Sequence, residues 1–336
     1  MKRSFELPSG PVRFRQIARN LLFSTIACAV FAGAAQSQAP PNGAQSNNGS
    51  SAQSTMPPWI RAANERAAAV RSVAKPAPPP AGSDASAGPV LDIGTSQSSV
   101  AADKLISPQG VAVDASGDLY VTDSALQHVF KVTPEGKRSI VGSGFMVPQA
   151  VAVDGAGNVY VADSQAGVIY KVTPDGVQVT VGSGFYMPMS VAVDAAGNVY
   201  AADPWNDFVA QITPDGTQTN LGSGYNTPVG VAVDAAGNVY VADTYSAAVF
   251  KIAPDGTQTT LGNGLVAPMY VAVDPAGDLY VTDTGTNSLA EITSDGTLTT
   301  VRRGLDVPIG VALDASGDLY VADSFSKRVI KVDSKD

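Results

Sequence analysis

The sequence is poor in the side chains that build most staples and many active sites. Among its 336 residues there is one cysteine, Cys28, one histidine, His128, and only 15% charged residues. One cysteine excludes an intramolecular disulfide, so the fold must be held by packing and strand pairing. One imidazole cannot assemble a histidine-rich zinc site. The apolar run at 21–35 (LLFSTIACAVFAGAA) falls short of the about 20 residues that normally cross a bilayer. Basic charge is scarce where it would matter for nucleic acid. Residues 1–88 carry nine basic and three acidic residues and residues 89–336 twelve and twenty-seven, so the larger part has a net charge of −15. Such a surface repels phosphate backbones, and nucleic acid is not expected as a partner.

What is abundant points to a turn-rich β protein, with 33 Gly, 23 Pro and 44% hydrophobic residues. That composition argues against a coiled coil or a wholly disordered chain. Lys2, Arg3, Arg13, Arg15 and Arg19 precede the apolar run, and small residues (Ala32 to Ala35) follow it. Basic head, apolar middle and small-residue exit predict a signal peptide over 1–35, or a membrane anchor if it is not cleaved. Thr25-Ile26-Ala27-Cys28 departs from a lipobox and apolar residues follow it, so lipidation is not expected. Residues 36–88 are rich in Ala, Pro, Ser and Gly and read as a disordered linker, since they cannot bury enough apolar surface to offset the entropy of ordering. Within them Trp59 to Ala74 reads as a short transient helix.

The remainder repeats with a period of forty residues. The string VAVD or VALD ends at Asp114, Asp154, Asp194, Asp234, Asp274 and Asp314, and YVTD, YVAD or YAAD ends at Asp123, Asp163, Asp203, Asp243, Asp283 and Asp323. Each unit holds four short β segments. In the fourth they are Val231–Val233, Val239–Ala242, Val249–Ile252 and the polar, β-branched Thr257–Leu261, with turns at Asp234–Asn238 and Pro254–Gly256. Six such units predict an all-β fold over 89–336, a six-bladed β-propeller. The sixth unit ends after its third strand, Val329–Val332, whereas an extra β-like stretch precedes the first unit at 89–101. The spacing therefore predicts that part of 89–101 supplies the missing outer strand and closes the ring.

Pro228 to Gly256 (P-x-G-VAVD-x-x-GNVYVAD…VFKI-x-PDG) resembles the NHL repeat, and the resemblance covers all six units. It is similar to bacterial exported NHL proteins and to the extracellular sensor domain of mycobacterial receptor kinases. Glycine-rich loop, lysine strand, HRD and DFG strings are all missing here. Some similar propellers are enzymes: amidating lyases hold zinc through several histidines, streptogramin lyases use a channel histidine, and lactonases hold calcium with acidic and amide side chains at the channel mouth. His128 is read as a solvated loop residue, and the residues leading into the inner strands are Gln109-Gly110, Gln149-Ala150, Met189-Ser190, Val229-Gly230, Met269-Tyr270 and Ile309-Gly310, without a carboxylate.

The periodic aspartates, glycines and tyrosines read as frame, because every blade needs them: Asp bonds turn amides, Gly takes positive φ, Tyr packs between blades. Function is then expected where copies differ, on the loops joining strands two to three and four to one. Aromatic and methionine side chains on loops suit recognition, and Trp205, Asp207, Tyr245, Tyr270, Tyr186, Met189 and Tyr225 are the expected ligand contacts. The reading is an exported, non-catalytic binding or sensor propeller, secreted, periplasmic or tethered in the cell envelope. Its expected partner is a protein, peptide or glycan, with no cofactor, and it meets the membrane only through an uncleaved N-terminal segment. The alternative is a metal-dependent lactonase-like hydrolase or lyase with its site at the channel mouth, for which calcium would be the cofactor.

Overall fold

The computed structural model describes residues 97–99 and 105–333. The expected signal segment (1–35), linker (36–88) and Trp59–Ala74 helix lie outside the described residues. Those described form six four-stranded antiparallel sheets and no helix. Blade one is β2 (Pro108–Val113), β3 (Leu119–Asp123), β4 (His128–Val132) and β5 (Arg138–Val141). Each strand pairs with the next in sequence, so β2 is innermost and β5 outermost. Blades two to five repeat this order, and blade six is built from β22 (Pro308–Leu313), β23 (Leu319–Asp323), β24 (Arg328–Val332) and, as its outer strand, β1 (Gln97–Ser99). β1 runs antiparallel to β24 with Gln97 opposite Val332, Ser98 opposite Lys331 and Ser99 opposite Ile330. The closure expected from the incomplete last repeat is thus made, among the described residues, by Gln97–Ser99.

The blades alternate because their strands do. Successive strand residues face opposite sides, and both sides are covered by a neighbouring blade. Tyr120 and Val129 of blade one pack with Val151, Val159 and Val161 of blade two, while Val111, Val121 and Phe130 pack with Tyr320, Ala322 and Val329 of blade six. The core is a circuit of inter-blade layers, each buried Val side chain worth about 1.5–3 kcal/mol. Outer strands face water, as in β5, where Arg138, Ser139 and Ile140 are exposed.

The inner strands converge closely. A Cβ on Gly110 would lie 2.7 Å from the Ala150 Cα, and one on Gly310 would lie 2.5 Å from the Gln109 carbonyl oxygen. Gly230 meets the blade-five backbone in the same way. Hydroxyls bridge the gaps: Thr122 donates to the Gln149 carbonyl (3.1 Å), Thr282 to Ile309 (2.6 Å) and Thr244 to Pro268 (2.7 Å), and the Ser190 hydroxyl accepts from the Val231 N–H (3.1 Å).

The turns between first and second strands are built as their sequence implies. Asp154 Oδ1 accepts from the Ala156 and Asn158 N–H groups (3.0 and 2.9 Å), and Oδ2 accepts from the Asn158 amide (2.8 Å) and the Tyr160 hydroxyl (3.1 Å), with Gly157 at φ 80°. Burial raises the pKa of Asp154, Asp194 and Asp234, but these hydrogen bonds outweigh it and hold all three below the ordinary carboxylate value. A depressed folded pKa contributes stability above the unfolded value, about 3.9, and loses it as pH falls through the folded one. The melting temperature is therefore expected to stay level from pH 7 to 5 on their account and to decline below about pH 4. The triple variant D154N/D194N/D234N should start lower and show a shallower acid limb in a melting series against pH. Asp243 has the opposite sign: burial dominates and raises its pKa, so its ionisation costs stability as pH rises.

Candidate functional site at the channel mouth

The inner strands start on the variable-loop side, and the loops joining strands two to three and four to one gather there. A second ring of aspartates holds them. Asp163, fully buried, accepts from the Met146 N–H (2.6 Å) and Val147 N–H (2.9 Å) of one loop and from the Ala166 N–H (3.2 Å) of the other. Asp123, Asp203, Asp243, Asp283 and Asp323 are buried in the same place and likewise accept loop N–H groups. Asp323 also takes Arg328 in a 2.9 Å ion pair. Sequence reading assigned these residues to local turns. Their main work is instead to tie two loops together, a contact spanning 16 or 17 residues and invisible to short-range turn chemistry.

Those carboxylates are committed to the backbone. Among the described residues no group of three or more His, Cys, Asp or Glu side chains is placed to hold a metal ion. At the mouth end of the inner strands, the second strand residue or the one just before the strand is Gln109, Gln149, Met189, Val229, Met269 or Ile309, all buried. The donor set does not fit a resident metal. His128 is the first residue of β4 rather than a loop residue, half-buried two strands outward from the channel. Its Nδ1 donates to the Leu126 carbonyl and its ring stacks on Phe130 at 5.6 Å.

The channel axis is occupied by one side chain. Tyr270 sits where other blades carry Gly110, Ala150, Ser190, Gly230 and Gly310. Its hydroxyl crosses the ring, donating to the Met189 carbonyl and lying 3.5 Å from that of Gln149. Burial pushes this phenol well above its ordinary pKa, so it stays neutral at any physiological pH. Tyr270 and the residues beside it at the mouth end of the inner strands are buried, so the axis is filled at this level. Two amide oxygens at this level, Gln109 Oε1 and Gln149 Oε1, are buried without a hydrogen-bond partner, while Gln109 Nε2 donates to Ser107 Oγ at 2.8 Å.

The expected contacts divide by depth. Tyr186 is 60% exposed and stacks on the half-buried Trp205 at 5.5 Å, and Asp207 and Tyr245 are half-buried on the same face. Tyr225 belongs to the inter-blade core against Phe250, its hydroxyl donating to the Leu221 carbonyl (2.9 Å). Met189 and Tyr270 are buried at the channel. Sequence reasoning passed over Gln109 and Gln149 except as non-carboxylates. A different concavity, about 420 Å³, opens between blades four and five on the opposite face, lined by Asp234, Tyr240, Lys251, Asp274 and Ser294.

Ring, latch and blind mouth define a six-bladed β-propeller. The chain belongs to the virginiamycin B lyase family, whose model matches residues 88–332. Solved structures agree in fold. A catalytically inactive histidine-to-alanine variant of virginiamycin B lyase from Staphylococcus aureus, with quinupristin, is 15% identical over 69% of this chain and 82% of that one (TM-score 0.57). A gluconolactonase from Xanthomonas campestris is 15% identical over 73% and 97% (TM-score 0.61). A chain of a nidogen/laminin complex is 23% identical over 58% and 80% (TM-score 0.54). No curated protein matches the sequence. The family overturns the expectation of a non-catalytic binding or sensor propeller. That expectation rested on missing histidines and mouth carboxylates, which bear on one way of running the chemistry and not on membership of an enzyme family.

Proposed function

We propose that this protein is an enzyme that opens a cyclic ester, by elimination as a lyase or by hydrolysis as a lactonase, at the variable-loop mouth of the channel. The observation that carries the reading is the family match across the whole ring, 88–332. The names of two fold neighbours, virginiamycin B lyase and gluconolactonase, support the same bond type, an ester closed into a ring. Either route needs the ester held still and its carbonyl polarised. The aspartates of the mouth are committed to loop N–H groups, and the groups nearest the axis are uncharged: the Gln109 and Gln149 amides, the Ser107 and Ser124 hydroxyls joined at 3.2 Å, and the Tyr270 phenol. Hydrogen bonds from amides and hydroxyls serve that polarisation in a dry site. The basic, apolar N-terminal segment supports action outside the cytoplasm, and the repeat unit is of NHL type.

Incubation with glucono-1,5-lactone and with quinupristin, followed by mass spectrometry, tests the reading. Elimination leaves the mass unchanged and creates a double bond, whereas hydrolysis adds one water. Product is expected from at least one ring, and at the same rate with and without a chelator, since the mouth does not fit a metal. No turnover of either ring above the uncatalysed rate would refute it.

A further inference from the structure

We propose that Gln109 and Gln149 are the specificity-determining acceptors of the mouth, a role that rests on the enzymatic reading above. Their side chains are 0% and 3% exposed, and both amide oxygens lack a partner. A buried acceptor left unpaired is destabilising, and native proteins retain one where something else supplies the donor. The repeat itself offers a cheaper solution. Blades three and five place Met189 and Met269 at the same position, 2% and 0% exposed, and blades four and six place Val229 and Ile309. Methionine has nearly the length and flexibility of glutamine and no polar group to satisfy. Two glutamines in adjacent blades therefore make one third of the ring polar and leave the other four positions apolar.

The ligand that matches this ring is amphipathic. One edge presents two N–H or O–H donors to Gln109 Oε1 and Gln149 Oε1, and the opposite edge is apolar, against the side of Met189, Val229, Met269 and Ile309. Because the glutamines are covered, the ligand must displace residues packed over them, while the 2.8 Å bond from Gln109 Nε2 to Ser107 Oγ holds the amide with its oxygen left for the ligand.

The test compares the full chain with Q109M/Q149M, a pair of substitutions the ring already accommodates in other blades. Melting temperature and steady-state kinetics on quinupristin and glucono-1,5-lactone are measured for both. The expected result is an unchanged or higher melting temperature together with at least a tenfold rise in KM, and quinupristin, which combines amide donors with apolar groups, should be the more affected substrate. A melting temperature several degrees lower would overturn the proposal, since it would mean that internal water already satisfies the oxygens and the glutamines are structural. Unchanged KM would overturn it as well. If the unmodified chain turns over neither ring, the enzymatic reading has failed, and the melting comparison still decides whether the two oxygens are unpaired in the free protein.

Discussion

Replacing Tyr270 with alanine is expected to cost about 3–5 kcal/mol of stability, in the range found for aromatic-to-alanine changes in cores. The size follows from the lack of anything to refill the space. The positions equivalent to Tyr270 are Gly110, Ala150, Ser190, Gly230 and Gly310, so no neighbouring side chain at that level can swing into the void. The inner strands are already in backbone contact and cannot close further. The conservative variant Y270F should cost less, about 1–3 kcal/mol, because the ring still fills the axis and only the buried Met189 carbonyl loses its donor, the Gln149 carbonyl keeping its bond from Thr122 at 3.1 Å. Urea titrations of both variants separate packing from hydrogen bonding. A loss below about 1 kcal/mol for Y270A would show that the propeller closes without its axial ring.

Deleting 89–101 should be nearly as costly by another route. It removes β1 and leaves β24 as an unpaired edge next to the seam between blades six and one. Three residue pairs are lost from the ladder, worth roughly 2–4 kcal/mol at about 1 kcal/mol per hydrogen bond. That corresponds to a fall of roughly 4–16 °C in melting temperature for a domain of this size. Val329, Ile330 and Val332 are buried in the intact ring, and an open apolar edge of this kind recruits other chains. The truncated protein should therefore also associate with rising concentration in sedimentation velocity. Melting and sedimentation like those of the intact chain would mean that three residues of β1 do not close the ring.

Much of this fold is legible in the sequence, because a repeat writes the same local solution six times. The Asp154-type turns and the incomplete last blade both leave a trace at fixed spacing, and the β1–β24 latch follows from counting strands. The candidate site is the reverse case. Tyr270 looked like one loop aromatic among several, and its role depends on residues 81 and 121 positions away, Met189 and Gln149. The usable signal was a break in symmetry: one large residue in a register otherwise filled by Gly, Ala and Ser. Gln109 and Gln149 break the next register in the same manner. Tyr225 misled for a related reason, since the sequence does not distinguish an aromatic on a loop tip from one tucked beneath it. The lyase or lactonase reading stood second to a binding propeller because the histidines and mouth carboxylates that signal it are missing, whereas the family match spans the ring as a whole.

The latch also sets a timetable. β1 is the earliest-made strand of blade six and β24 the last, so the blade cannot be completed until nearly the whole repeat region exists. At ribosomal speeds of about 5–20 residues per second, the interval between the two strands is roughly 10–50 s. Throughout it the growing stack of blades has two uncovered apolar flanks, one on blade one and one on the newest blade. Closing the circle through the β1–β24 pairing removes both at once, and one short strand contact thereby turns a sticky crescent into a covered ring.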